Sequence, residues 1–354
     1  MEALKYIGMD VHTETIVIAV HNARGKQVME SVIETTAPAA RDFIQGIRGT
    51  VHVTFEAGTQ AAWLYDILRP LVAKVVVCDP RKNTLLLTGN KGDRVDAHKL
   101  AQLLRADLLT PVYHGAHGTR TLKELARSYA ALMEDCTRVM NRLKALYRAR
   151  AIPCPGEKVY QKEEREQWLG KLTEVGVRHR AEWLYQELDP LVALRDTARE
   201  AMVTESCKHP ANHLLQSIAG LGPVRVAQVI AAIDSPHRFR TKRQLWAYSG
   251  LAVMTKSSAD YRRVRGELCK AVPARVTRGL NPHYNRTLKH VFKDAALLAS
   301  TRGALKPYYD QLIAQGMRPA LARLTVARKI AAITLAVWKK GVRFDAELVM
   351  PHAA

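Results

Sequence analysis

Tyr6-Ile7-Gly8-Met9-Asp10 is an apolar, strand-like run that ends on a carboxylate, and Val51-His52-Val53-Thr54-Phe55-Glu56 is a second. A third stretch, Lys91-Gly92-Asp93-Arg94-Val95-Asp96-Ala97, opens a helical pattern with two acids three residues apart. Positions i and i+3 share one helix face. Two carboxylates at strand ends and two on one helix face make a cage of hard oxygen donors. Mg²⁺ takes oxygen ligands and keeps water or substrate phosphate in the rest of its shell. A pair of such ions, roughly 3.5–4 Å apart, clamps the attacking and leaving oxygens of a phosphodiester. Asp10, Glu56, Asp93 and Asp96 therefore predict a Mg²⁺ or Mn²⁺ site for chemistry on nucleic acid. Each acid alone has a plainer explanation: Asp10 as a turn residue, Glu56 as a surface acid, Asp93 as a helix N-cap. The metal reading rests on all four standing together at element ends. His12 can share a strand face with Asp10, and His98 follows Asp96 on the helix; neither is assigned as a ligand.

Around these acids the first 110 residues read as α/β. Ile7–Asp10, Thr15–Val20 and Lys26–Ile33 form a three-strand meander, with Asn22-Ala23-Arg24-Gly25 as a turn. A helix is expected at Pro38–Ile47, with Pro38 suited to a first helical position. A short buried strand at Val51–Phe55, a helix at Gln60–Val72, a strand at Lys74–Cys78 and a helix at Asp93–Ala106 follow. Three antiparallel strands and then alternating helices and strands fit an RNase H-like (RuvC-like) domain, placed at residues 1–112.

Residues 122–146 hold the cleanest periodicity. Leu122, Leu125, Tyr129, Leu132, Cys136, Val139, Leu143 and Leu146 alternate spacings of three and four, a heptad seam. Ile152-Pro153-Cys154-Pro155-Gly156 breaks it. Arg178–Val203 then offers Leu184, Leu188, Leu191, Ala198 and Met202. Residues 113–205 are read as a long helical, coiled-coil segment. An antiparallel hairpin, a coiled coil between subunits and a plain helical linker all satisfy this spacing.

The formal net charge is +21, and it is uneven. Residues 1–110 carry 13 Lys+Arg against 12 Asp+Glu, whereas residues 237–343 carry 23 against 4. A basic region this strong is the electrostatic footprint of a nucleic-acid binder. A basic membrane anchor is disfavoured, since the sequence has no apolar 20-residue span and no basic amphipathic anchor. The first residues lead into a strand rather than a secretory signal. The five cysteines are scattered, which fits a reducing compartment and argues against a disulfide framework or zinc finger. A protein of a reducing cytosol is expected.

Residues 206–345 read as a basic, mainly α domain. It opens with Ile218-Ala219-Gly220-Leu221-Gly222-Pro223-Val224, a helix-hairpin-helix pattern. Gly220 and Gly222 let such a turn approach a phosphate, and the next helix presents free N–H groups to it. A structural glycine turn gives the same pattern. Ser257-Ser258 is flanked by Lys256, Arg262 and Arg263, cations able to hold a scissile phosphate. A serine hydroxyl needs a base or metal to become a nucleophile. By residue type alone, Tyr248, Tyr261 and Tyr284 are rivals.

Over almost its full length the chain resembles DEDD-type insertion-sequence transposases of the Piv/MooV-like group, insertion-sequence family one hundred and ten. Asp10 in Gly8-Met9-Asp10-Val11-His12, Glu56 in Phe55-Glu56-Ala57-Gly58-Thr59 and the Asp93/Asp96 pair match that family's RuvC-like domain. Gly220-Leu221-Gly222-Pro223, the run from Leu245 through Tyr248 to Gly250-Leu251, Ser257-Ser258, and the run from Arg278 to Lys289 match its C-terminal domain. The resemblance implies that the four acids bind divalent metal and that Ser258 forms a covalent phosphoserine link to DNA. It also implies guidance by a structured non-coding RNA from the element's own ends. Two positions depart from the common pattern: Ala259 stands where many relatives have glycine, and Val253 where several have proline. The first keeps Ser257 open as the nucleophile.

The reading is an RNA-guided transposase that cuts and rejoins DNA as a homo-oligomer, dimer or tetramer. Gly220, Gly222, Lys256, Arg262, Arg263 and Arg278 are its expected nucleic-acid contacts. The rivals are a RuvC-like hydrolytic nuclease, a site-specific DNA invertase and a non-catalytic nucleic-acid-binding protein.

Overall fold

The structure, a computed structural model, describes residues 4–81, 92–114, 119–256, 261–264, 266–270 and 277–346. The chain divides into two compact units, Met1–Ala116 and His117–Ala354.

The first unit is a mixed open sheet with flanking helices. β1 (Lys5–Val11), β2 (Thr15–Asn22) and β3 (Gln27–Glu34) form an antiparallel meander. β4 (Val51–Glu56) and β5 (Lys74–Cys78) lie parallel on the other side of β1, so the order is β3-β2-β1-β4-β5. α1 (Ala37–Gln45) and α2 (Ala61–Leu68) make the crossovers, and α3 (Asp93–Arg105) follows β5. This agrees with the expected RNase H-like layout. Local chemistry explains its corners. The Asn22 side chain accepts hydrogen bonds from the backbone N–H groups of Arg24 and Lys26. Gly25, at φ +82°, supplies the left-handed residue that this turn needs.

Alternation along the strands sorts the core. Ile7, Met9, Ile16, Ile18 and Phe55 face α1 and α2, where Ala40, Ile44, Leu64 and Leu68 complete the packing. The opposite face carries Gly8, Val17 and Ala19 and receives α3.

The second unit is mainly helical. It begins with α4 (Arg120–Arg148), α5 (Arg165–Leu169) and α6 (Val175–Cys207). α7 (Asn212–Gln216), α8 (Pro223–Ile233) and α9 (Lys242–Tyr248) follow. Four short strands come next: β6 (Val253–Lys256), β7 (Tyr261–Val264), β8 (Glu267–Lys270) and β9 (Thr277–Leu280). α10 (Arg286–Ala299), α11 (Lys306–Ala314) and α12 (Pro319–Lys340) close the unit.

Every seam residue except the half-buried Leu132 joins a core within the chain. α4 and α6 run antiparallel, as the ion pairs Arg142–Glu187 at 3.7 Å and Arg150–Glu174 at 3.2 Å record. Cys136, Val139, Leu143 and Leu146 pack with Leu184, Tyr185 and Leu188 of α6 and with Trp168 of α5. Leu122, Leu125 and Tyr129 join a different core, with α8, α10 and α12. No coiled coil is shown among the described residues; the α4/α6 pair is an antiparallel hairpin, and one seam serves two separate cores. Asp234, at the end of α8, ties the start of α4 down by accepting from Thr119 Oγ1 and Lys123 Nζ.

Candidate metal centre

Asp10 is the next-to-last residue of β1, and Glu56 the last of β4. The parallel register pairs Tyr6 with His52 and Gly8 with Thr54. Alternate residues share a face, so the same register carries forward to Asp10 and Glu56. Asp93 and Asp96 form the acidic first turn of α3, where negative charge also suits the helix dipole.

Gly8 sets the distance between these groups. A Cβ at Gly8 would lie 2.1 Å from the Ala97 carbonyl oxygen and 2.5 Å from the Ala101 nitrogen. Only a residue without a side chain lets α3 lie this close to β1. Ala19 and Ala97 are small for the same reason, and both are buried. A second tie lies one turn along: His21 Nε2 and His98 Nδ1 are 2.8 Å apart, and His98 Nε2 is 3.1 Å from Gln102 Nε2. Burial, then His98 and Arg105, hold the His21 imidazole below its ordinary pKa.

At the cluster itself, His12 Nε2 lies 3.2 Å from Asp10 Oδ2 and 3.5 Å from Asp93 Oδ2. Asp10, His12 and Asp93 each offer a ligand atom within 4.8 Å of the others, making a candidate metal-binding cluster. Burial raises the Asp10 pKa above the ordinary carboxylate value, with Asp93 and Asp96 adding to the rise and His12 opposing it. Burial likewise raises Glu56, and Asp10 and Asp96 push it further. The four acids thus share one electrostatic neighbourhood, although Glu56 and Asp96 stand outside the three-residue cluster. Asp96 Oδ1 is buried without a hydrogen-bond partner among the described residues, with Lys99 Nζ 3.8 Å away. The raised pKa values of Asp10 and Glu56 and the orphaned buried oxygen of Asp96 fit a divalent cation. Beside the cluster is a cleft of about 660 Å³, lined by His12, Thr13, Glu14, Thr59 and Gln60 among others.

Sequence reasoning passed over His12 as a ligand and Gly8 as a spacer. Their signals were the i, i+2 step from Asp10 and a glycine inside a strand, which marks close backbone approach.

In the second unit, Ser257 and Ser258 lie outside the described residues. Lys256 ends β6, and the antiparallel β6/β9 ladder pairs Thr255 with Arg278 and Lys256 with Thr277. Arg262 and Arg263 sit on the β7/β8 hairpin, opposite Cys269 and Leu268. Gly220 has φ +87°, and a Cβ there would lie 2.8 Å from the Ala295 carbonyl oxygen of α10. Its glycine therefore has an internal packing reason. Gly222, the N-cap of α8, faces open space.

A mixed sheet of this order thus carries a candidate Asp/His/Asp metal cluster between the end of β1 and the first turn of α3. The DEDD transposase family of the IS110 type matches residues 7–149, and the "Transposase IS116/IS110/IS902 family" matches residues 212–310. The chain belongs to this IS110/IS902 family of DEDD-type transposases. It is 29% identical over 185 residues to the "Transposase for insertion sequence element IS1533" of Leptospira borgpetersenii, covering 49% of this chain and 51% of that protein. The chain thus spans about half the length of that relative. Identity to the "Putative transposase y4qE" of Sinorhizobium fredii is 24% over 359 residues, 94% of this chain and 88% of that one. The "Insertion element IS110 uncharacterized 43.6 kDa protein" of Streptomyces coelicolor is 27% identical over 140 residues, 40% of this chain and 32% of its own length. Among the described residues no helix is long and apolar enough to cross a membrane.

Proposed function

We propose that this protein cuts and rejoins DNA at the ends of an insertion sequence, with a divalent metal held by Asp10, Glu56, Asp93 and Asp96 and with Ser258 as the nucleophile. The observation that carries the reading is the approach of Asp10 and Asp93 to one imidazole, with Glu56 and Asp96 in the same electrostatic neighbourhood. Bound there, Mg²⁺ or Mn²⁺ supplies charge for the non-bridging and leaving oxygens of a phosphodiester.

The residues of this chain do the rest. The Ser258 hydroxyl adds to phosphorus as the bond from phosphorus to one deoxyribose oxygen breaks. The hydroxyl proton ends on that leaving oxygen. A deoxyribose hydroxyl of the partner strand then displaces serine, restoring both the DNA bond and the Ser258 hydroxyl. One phosphoester bond forms for each that breaks, so the exchange needs no nucleotide and no redox partner. Lys256, Arg262, Arg263 and Arg278 balance phosphate charge, and Gly220 and Gly222 sit in a helix-hairpin-helix turn that holds the backbone. The excess of 23 Lys+Arg over 4 Asp+Glu in residues 237–343 supports such a grip. A structured non-coding RNA from the element directs the choice of target, and the protein acts as a homo-oligomer. The RuvC-like domain occupies residues 1–112, the helical segment 113–205 and the basic domain 206–345.

Incubation of the protein with element-end DNA and the flanking non-coding RNA tests this. Covalent protein–DNA adduct on Ser258 is the expected product. Strand cleavage that leaves no adduct on any residue identifies a hydrolytic nuclease instead.

A further inference from the structure

We propose that His12 is itself a ligand of the metal in the acidic site, and that its nitrogen biases the site toward Mn²⁺ over Mg²⁺. The inference rests on the metal reading above and goes beyond its four carboxylates.

The geometry is specific. A single atom, His12 Nε2, faces Asp10 Oδ2 at 3.2 Å and Asp93 Oδ2 at 3.5 Å. Neighbouring donors around a six-coordinate ion with bonds of about 2.1 Å stand roughly 3 Å apart. His12 Nε2 thus already stands from both oxygens at close to the spacing of two ligands of one ion, and the ligand atoms of the three residues all lie within 4.8 Å of one another. A ring nitrogen has one direction in its plane, for a proton or for a lone pair, and cannot aim it well at two oxygens at once. A cation lying between the three atoms answers that conflict.

The position is also held from behind. The His12 backbone N–H donates to Thr15 O at 2.9 Å, and the His12 carbonyl accepts from Thr35 Oγ1 at 2.8 Å. The ring itself is not locked by packing, since its side chain is 46% exposed. What it meets there are the two carboxylates.

The chemical consequence follows from donor type. Mg²⁺ prefers an all-oxygen shell and near-ideal octahedral geometry. Imidazole suits the later first-row transition ions best, and Mn²⁺, which also takes oxygen donors, stands at the start of that series, whereas Mg²⁺ lies outside it. A shell of carboxylate oxygens plus one nitrogen therefore tilts selectivity toward Mn²⁺.

The test uses the full chain, stripped with chelator and titrated with Mn²⁺ alone, with bound ion followed by electron paramagnetic resonance. Pulsed spectra of the bound ion are expected to show coupling to a ¹⁴N nucleus, absent in His12→Gln. Mn²⁺ affinity of His12→Gln and of His12→Asn should fall at least as far as the roughly 10–100-fold lost with an outer-shell partner. Mg²⁺ competition should then become more effective than in the wild type. Circular dichroism verifies that both variants are folded; the nitrogen coupling of the wild type needs no variant. Mn²⁺ bound at Asp10 without nitrogen coupling, and with unchanged Mg²⁺ competition in His12→Gln, overturns the role of His12 and leaves the metal site standing. Failure of the wild type to bind Mn²⁺ overturns both.

Discussion

Gly8 lies directly against Ala97: a Cβ on Gly8 would stand 2.1 Å from the Ala97 carbonyl oxygen. This contact sets the height of α3 over the sheet and so the position of Asp93 and Asp96 relative to Asp10. Gly8→Ala should force the helix away, at about 1–3 kcal/mol, the usual cost of overpacking. Thermal melts should show that loss together with weakened metal binding. Unchanged melting and unchanged metal affinity would mean that α3 does not depend on this contact.

Asp10 and Glu56 give a pH signature. Their carboxyl pKa values are raised above 3.8 and 4.5 in the metal-free fold. A carboxyl with a raised folded pKa favours folding while protonated. That contribution is complete below the unfolded pKa and is lost as pH rises through the folded one. Stability of the chelator-treated protein should therefore fall from mildly acidic toward neutral pH. Mg²⁺ or Mn²⁺ should restore it most at the neutral end, by about 2.7 kcal/mol at a hundredfold excess over Kd. Asp10→Asn should flatten the pH slope and remove the metal response. Melting curves over pH, with and without ion, decide the matter; a full metal response in Asp10→Asn contradicts it.

The two hairpin glycines should separate. Gly220→Ala places a side chain at φ +87° against Ala295 and should cost about 1 kcal/mol or more. Gly222 has φ −74° and open space, so Gly222→Ala should leave the fold intact. Reduced DNA binding by a normally stable Gly222→Ala would support a phosphate contact at that turn. Normal binding would argue for a purely structural turn.

The α4/α6 hairpin carries its own core. Leu143 is fully buried, and Leu143→Ala should cost about 2–5 kcal/mol. The loss should appear as lower melting temperature at any protein concentration. A change confined to sedimentation, with unaltered melting, would return the seam to an interface between subunits.

The sheet, and the placement of Asp10 and Glu56 near strand ends and of Asp93 and Asp96 in one helix turn, were legible because strand alternation and i, i+3 spacing fix faces without knowledge of any partner. The role of Gly8 was not, since a glycine in a strand does not name the helix that comes to it. His12 stood two residues from Asp10, but its approach to Asp93 depends on the packing of α3. The heptad seam was read correctly as spacing, yet apolar period does not specify what fills it. Leu122, Leu125 and Tyr129 go to one core and Cys136, Val139 and Leu143 to another. Ser257 and Ser258 were singled out through family resemblance more than residue chemistry, and they lie outside the described residues.

Mapping the trapped protein–DNA adduct by mass spectrometry, with divalent metal and with chelator, tests the central claim most directly. The account predicts a phosphodiester adduct on Ser258 that forms with Mg²⁺ or Mn²⁺ and vanishes with chelator or in Asp10→Asn. Strand exchange that persists in chelator, or an adduct on Ser257 or Tyr261 with Ser258→Ala fully active, would contradict it.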